Sequence, residues 1–152
     1  MTIHYLYRQQ TLTMTPEEAW SFFTSPAHLN SITPDFFTIT PVSPVPENIY
    51  SGLMIAYHMQ AVWKLPMDWL SEISHCQPGE YFIYEQKIGP FKFWSHEVRL
   101  KVSEPNKISI EDIVFYKMPY GAFGELMHRL LIKQKLQAIF DTRAAVLESR
   151  FK

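Results

Sequence analysis

Apolar and polar positions alternate over residues 3–13, with Ile3, Tyr5 and Tyr7 on one parity and His4 and Arg8 on the other. That period predicts a first, half-buried strand. The pattern then changes. Thr15-Pro16-Glu17-Glu18 has an N-cap residue, a proline suited to the first helical position and a glutamate placed to close a capping box. Ala19, Trp20, Phe22 and Phe23 supply the apolar side of a short helix, Ser25-Pro26 opens a second one over Ala27 to Ile32, and Thr33-Pro34 ends it. Phe36 to Thr40 reads as a strand, and Pro41 to Pro46 is too rich in proline for anything but an extended surface connection. From Leu53 the chain reads as a meander with strands at about 53–62, 67–76, 80–88, 91–103 and 107–117, broken at Gln77-Pro78-Gly79, Ile88-Gly89-Pro90 and Glu104-Pro105-Asn106. Breaks this short force antiparallel neighbours. Tyr120 to Gly124 is predicted to be a loop, either a gate over a cavity mouth or an ordinary strand-to-helix connection, since glycines serve both. Residues 125–149 then lack both proline and glycine, and Leu126, Leu130, Lys133, Ile139, Phe140, Arg143 and Leu147 recur at helical spacing, with Met127, Leu131 and Leu136 widening the stripe. A helix of roughly 25 residues spans roughly 37 Å, enough to cross a whole sheet.

The element order therefore predicts an α+β fold. A curved antiparallel sheet is wrapped around a long C-terminal helix, with two short helices after the first strand. The 152 residues make one domain, 1–152, without internal repeats. An apolar fraction of 47% against 19% charged residues is that of a folded chain, and the 15% of aromatics suits a thick core or the lining of a cavity. The formal charge of −1 builds no basic footprint, so no nucleic-acid partner is expected. No stretch reaches the ~20 apolar residues of a membrane span, and Met1-Thr2-Ile3-His4-Tyr5 has neither a cationic start nor an apolar run, so a cytoplasmic location is expected. Cys76 is the single cysteine, which excludes a disulfide framework and a multi-cysteine zinc site. Nothing in the sequence fixes an oligomeric state.

Candidate chemistry gathers on the two last strands. With the turn centred near residue 104, Leu100 pairs with Ile108, Val98 with Ile110 and Trp94 with Val114, so this parity faces the core. His96 and Asp112 share it and fall opposite each other, close enough for an imidazole–carboxylate hydrogen bond. Three readings stand side by side: a structural pair stitching two strands, a contact that orients a polar group of a ligand, and a general base with an orienting carboxylate. Tyr84, Gln86 and Tyr116 can join the same face. Phe23, Tyr57, Trp69, Trp94, Met127 and Leu131 are the expected apolar lining, and Trp63 is placed at a rim. Arg143 either snorkels to solvent or turns inward as a partner for Asp112 or an anionic ligand group. Neither HxxxH nor HExxH occurs, and no glycine-rich phosphate loop is present, so no metal and no cofactor is expected.

Tyr84-Glu85-Gln86-Lys87-Ile88-Gly89-Pro90-Phe91 with Trp94 and His96, and Asp112, Tyr116, Pro119, Tyr120 and Gly121 after them, resemble a bacterial branch of the START-like (SRPBCC) ligand-binding superfamily. Trp20 to Phe23, Leu29 to Pro34 and Ile139-Phe140 to Arg143 fit as well, so the likeness covers nearly the whole chain. It implies a helix-grip fold with a cavity between sheet and long helix. It also implies binding of a hydrophobic small molecule such as a lipid or polyketide. The superfamily also holds cyclases, dehydratases and hydrolases, so an enzyme using the His96/Asp112 pair is one alternative, and a protein-interaction module is the other. Similar sequences carry a second histidine two residues after the one matching His96; Val98 stands there in this chain.

Overall fold

Thr15 starts the first helix as its sequence dictates. Its hydroxyl accepts the Glu18 N–H at 3.2 Å and Glu18 Oε2 accepts the Thr15 N–H at 2.9 Å, a reciprocal capping box worth about 1 kcal/mol. The computed structural model describes residues 2–60 and 65–152; Trp63 and the end of the strand expected over 53–62 lie outside them. The order is β1 (His4–Thr13), α1 (Pro16–Phe23), α2 (Pro26–Asn30), β2 (Thr38–Pro41), β3 (Met54–Gln60), β4 (Pro66–Gln77), β5 (Tyr81–Ile88), β6 (Phe93–Glu104) and β7 (Lys107–Lys117). A C-terminal helix follows in three parts: α3 (Gly121–Met127), one π-helical turn (His128–Ile132) and α4 (Lys133–Arg150).

The seven strands form one curled antiparallel sheet in the order β1-β7-β6-β5-β4-β3-β2. The meander runs outward from β7 to β2, and β1 closes against β7 from the other side. This is the helix-grip α+β architecture. On β1 the inward parity is the polar one. His4, Leu6, Arg8, Gln10 and Leu12 point toward the helix, while Tyr5 and Tyr7 face outward. The helix supplies matching polar groups, Asp141 for Arg8 and the Ala144 carbonyl for Gln10, so hydrogen bonding overrides hydropathy there.

The β6–β7 register differs by two residues from the expected one. Trp94 pairs with Tyr116, His96 with Val114, Val98 with Asp112 and Leu100 with Ile110. The turn sits at Pro105-Asn106, with Asn106 in the left-handed region at φ 61, and a bulge between Val102 and Glu104 absorbs one residue. A shift of two keeps every side chain on its predicted face, so the core parity survives while the opposed partners change.

The C-terminal helix begins four residues earlier than expected. Tyr120 and Gly121 take the left-handed conformation at φ 64 and 54, and the helix runs from there, so Gly121–Gly124 is helical and not a loop. Gly124 is required by close packing: a Cβ on it would lie 1.7 Å from the Pro119 carbonyl oxygen. The π turn holds one extra residue and so rotates everything before it by roughly 100° relative to α4. His128 therefore points inward, and Leu126 and Leu130, expected on the buried stripe, are 48% and 65% exposed. Two apolar clusters fill the grip. One is built on Leu12, Phe22, Phe23, Ile32, Phe82 and Ile108, and the other on Met59, Trp69, Trp94, Val114 and Phe140.

Candidate functional site

Between the clusters lies a cavity of about 180 Å³, with walls drawn from both. One water needs only about 10–15 Å³ of such space, so the void is large enough for an organic molecule. Sheet residues Tyr57, Trp69, Tyr84, Trp94 and His96 line one side, and Leu136, Ile139, Phe140 and Arg143 of α4 line the other. Phe23 of α1 with Leu29, Ile32, Phe37 and Ile39 forms a third wall. Asn30 holds that wall together: its amide Nδ2 donates to the Ile39 carbonyl, and its Oδ1 accepts the Ile39 N–H at 2.9 Å.

The polar end of the cavity is a chain of four side chains, three buried and the fourth, Tyr84, half-buried. Arg143 Nη1 lies 3.4 Å from Asp112 Oδ1, and the same oxygen accepts from His96 Nε2 at 2.8 Å. His96 Nδ1 is hydrogen-bonded to the Tyr84 hydroxyl. His96, Asp112 and Arg143 are only 2%, 7% and 9% exposed. Asp112 reaches His96 diagonally from its place opposite Val98. Burial pushes the His96 pKa down; the hydrogen bond and charge of Asp112 oppose this, and Arg143 reinforces it, leaving a lowered value. Burial would raise the Asp112 carboxyl, but Arg143 and then His96 outweigh it, and the acid is held below its ordinary range. Burial also raises the Tyr84 phenol. The consistent protonation is a neutral imidazole that donates from Nε2 to a carboxylate and accepts from the Tyr84 hydroxyl at Nδ1. Arg143 thus turns inward to neutralise Asp112, and its guanidinium also lies over the Phe23 ring at 5.4 Å.

Further polar side chains line the cavity, Ser71, Tyr57, Thr24 and Thr33 among them. Ser71 Oγ accepts from Trp69 Nε1 at 2.7 Å, and the Tyr57 phenol is pushed by burial to about 12. Trp94 Nε1 has no conventional hydrogen-bond partner among the described residues. Its ring is packed by aromatics, edge-to-face with Trp69 at 5.7 Å and 4.8 Å from Phe91.

Seven of the expected site residues meet at this cavity: Phe23, Tyr57, Trp69, Tyr84, Trp94, His96 and Arg143. Asp112 stands behind His96 and lines a smaller void of about 40 Å³ on its far side. Four others are elsewhere. Gln86 spends its amide on the hairpin, donating to the Phe91 carbonyl at 2.7 Å and accepting the Phe91 N–H at 3.1 Å. Tyr116 hydrogen-bonds His128 at 2.7 Å, outside the cavity. Met127 and Leu131 precede or fall in the π turn, whose added rotation carries them off the cavity face. Phe91, Leu29, Phe37 and Ile39 are lining residues the pattern did not mark. Phe91 follows Gly89-Pro90, and the others sit in the short α2 and β2 and the turn between them, where elements of four or five residues are too brief for periodicity to report orientation.

No protein-family model and no curated protein sequence matches the chain. Solved structures do match its fold over nearly all its length. A protein from Thermus thermophilus shares 15% identity with a TM-score of 0.71, covering 97% of this chain and 96% of that one. The Zhui aromatase/cyclase from a Streptomyces species shares 11% identity at a TM-score of 0.71, covering 98% and 96%. Ara h 8.0201 shares 18% identity at a TM-score of 0.59, covering 97% and 99%. These likenesses are of fold, the helix-grip α+β fold.

Proposed function

We propose that this helix-grip domain binds a hydrophobic small molecule, of the size class of a polycyclic phenol, polyketide or short lipid, between the sheet and α4. The carrying observation is the cavity itself, walled by apolar and aromatic side chains with one polar end. The Arg143–Asp112–His96–Tyr84 chain is internally satisfied. Both imidazole nitrogens are engaged, so His96 has no free lone pair for a substrate proton, which supports binding rather than acid–base chemistry. With its hydroxyl hydrogen bonded to His96, the Tyr84 oxygen retains acceptor capacity for a ligand hydroxyl, and Ser71 offers a donor nearby. The fold is shared with an aromatase/cyclase, which fits the aromatic lining without assigning its reaction to this chain.

Native mass spectrometry tests the reading. The protein is incubated with a mixed panel of fatty acids and polycyclic phenols and sprayed under native and denaturing conditions. One panel member bound per chain, lost on denaturation, is expected. A spectrum holding only the bare chain across the panel would overturn the proposal.

A further inference from the structure

Outside the cavity, a second cluster joins the start of the C-terminal helix to the sheet. His4 of β1 and Tyr116 of β7 are directly opposed in the sheet. Glu125 and His128 lie three residues apart, one turn on a helix, so both side chains leave the same face. The His4 Nε2 is 2.8 Å from Glu125 Oε2, and the Tyr116 hydroxyl is 2.7 Å from His128 Nε2. One ligand atom each from His4, Glu125 and His128 lie within 4.8 Å of one another. None of the four residues lines the cavity.

We infer that His4, Glu125 and His128 form a binding site for a divalent transition-metal ion of the zinc class, with the Tyr116 hydroxyl as the fourth polar group at the cluster. Two imidazoles and one carboxylate are a donor set that zinc takes, at about 2.0–2.2 Å per bond, which places donors roughly 3.3–3.5 Å apart. The widest of the present separations, up to 4.8 Å, therefore closes around the ion, while the 2.8 Å contact between His4 and Glu125 opens to admit it. The two imidazole rings now stack at 3.7 Å with 22° between their planes. An ion in the plane of both requires one ring to swing. His4 is the ring with room to swing: it is the first residue of β1 and only half buried, and its one partner, Glu125, is itself a ligand, whereas His128 is buried and held by Tyr116.

One structural feature fits this assignment. The π turn begins at His128, and it is the added rotation of that turn that brings His128 inward to meet His4. Glu125 is the acid at the cluster; Arg129 and Lys133 on the same helix are the nearby cations and weaken the site modestly. Once bound, the ion would staple the start of β1 and the end of β7 to the first turns of the helix.

Zinc titration of the tag-free protein, in competition with a chromogenic chelator, is the test. One zinc per chain is expected, with a rise in melting temperature on adding zinc. Loss of groups that merely support a metal ligand costs 10–100-fold in affinity, so removing a direct ligand by Glu125→Gln should cost at least about 100-fold and abolish the thermal shift. Gln can keep the hydrogen bond to His4, so the fold should persist; His4→Gln provides the second variant and should behave alike. His58→Gln, at an exposed His58–Asp68 contact, should leave binding unchanged. The assignment is overturned if the wild type fails to take up one zinc, or if Glu125→Gln and His4→Gln bind it as tightly as the wild type.

Discussion

Burial fixes His96 in its neutral form, and a pH dependence of stability follows. A histidine whose folded pKa lies below its ordinary 6.5 binds fewer protons folded than unfolded, so its stabilising contribution is present above that value and is lost as pH falls below it. Asp112, held below its ordinary 3.8, adds a second loss at lower pH. Urea unfolding followed downward from neutral pH should therefore show falling stability, and His96→Gln should flatten the upper part of that slope; the remainder belongs partly to His128, lowered in the same direction. An unchanged slope in the variant would count against a buried neutral His96. Asp112→Ala removes the partner of a buried guanidinium and should cost about 3–5 kcal/mol in the same assay. Gln86→Ala should cost about 1–2 kcal/mol by releasing two hydrogen bonds to Phe91. The parity of β6 and β7 was legible because apolar residues alternate cleanly there, and so was the meeting of His96 with Asp112. The pairing was not, since a bulge near Ser103 leaves no trace in hydropathy. Nor could the sequence tell that Gln86 turns to its own hairpin, because a glutamine on a core-facing parity serves a ligand or a backbone equally well.

At the scale of elements, the strands and α1 follow directly from period and capping chemistry, and their ends fall within a few residues of expectation. The C-terminal helix departs from it for a local reason. Its heptad-like stripe of Leu126, Leu130 and Lys133 assumes an unbroken 3.6-residue period, and the π turn breaks that period at His128. Side-chain pattern alone carries no mark of an inserted residue. The glycine pair read as a loop serves the helix start instead, Gly121 by its positive φ and Gly124 by its contact with Pro119. Gly124→Ala should destabilise by about 1–3 kcal/mol in a thermal melt, because backbone must move to admit the methyl group. A melt unchanged by the substitution would show that the junction yields freely.

For the whole molecule, the sheet, the helix and the α1–α2 wall leave a void that dense packing would otherwise close. No helix among the described residues is long and apolar enough to cross a membrane. The outer face also carries exposed apolar side chains, Tyr120, Phe123, Leu126 and Leu130, so any apolar probe has two places to go. The deciding measurement is therefore a fluorescence titration with an anilinonaphthalene dye on three proteins: the wild type, Ile139→Trp, which fills the cavity from α4, and Leu130→Lys, which breaks the exposed patch. Ligand binding in the cavity predicts one dye per wild-type chain, affinity at least about tenfold weaker in folded Ile139→Trp, or about 1.4 kcal/mol, and no change in Leu130→Lys. Equal binding by the wild type and Ile139→Trp, with loss in Leu130→Lys, would contradict it.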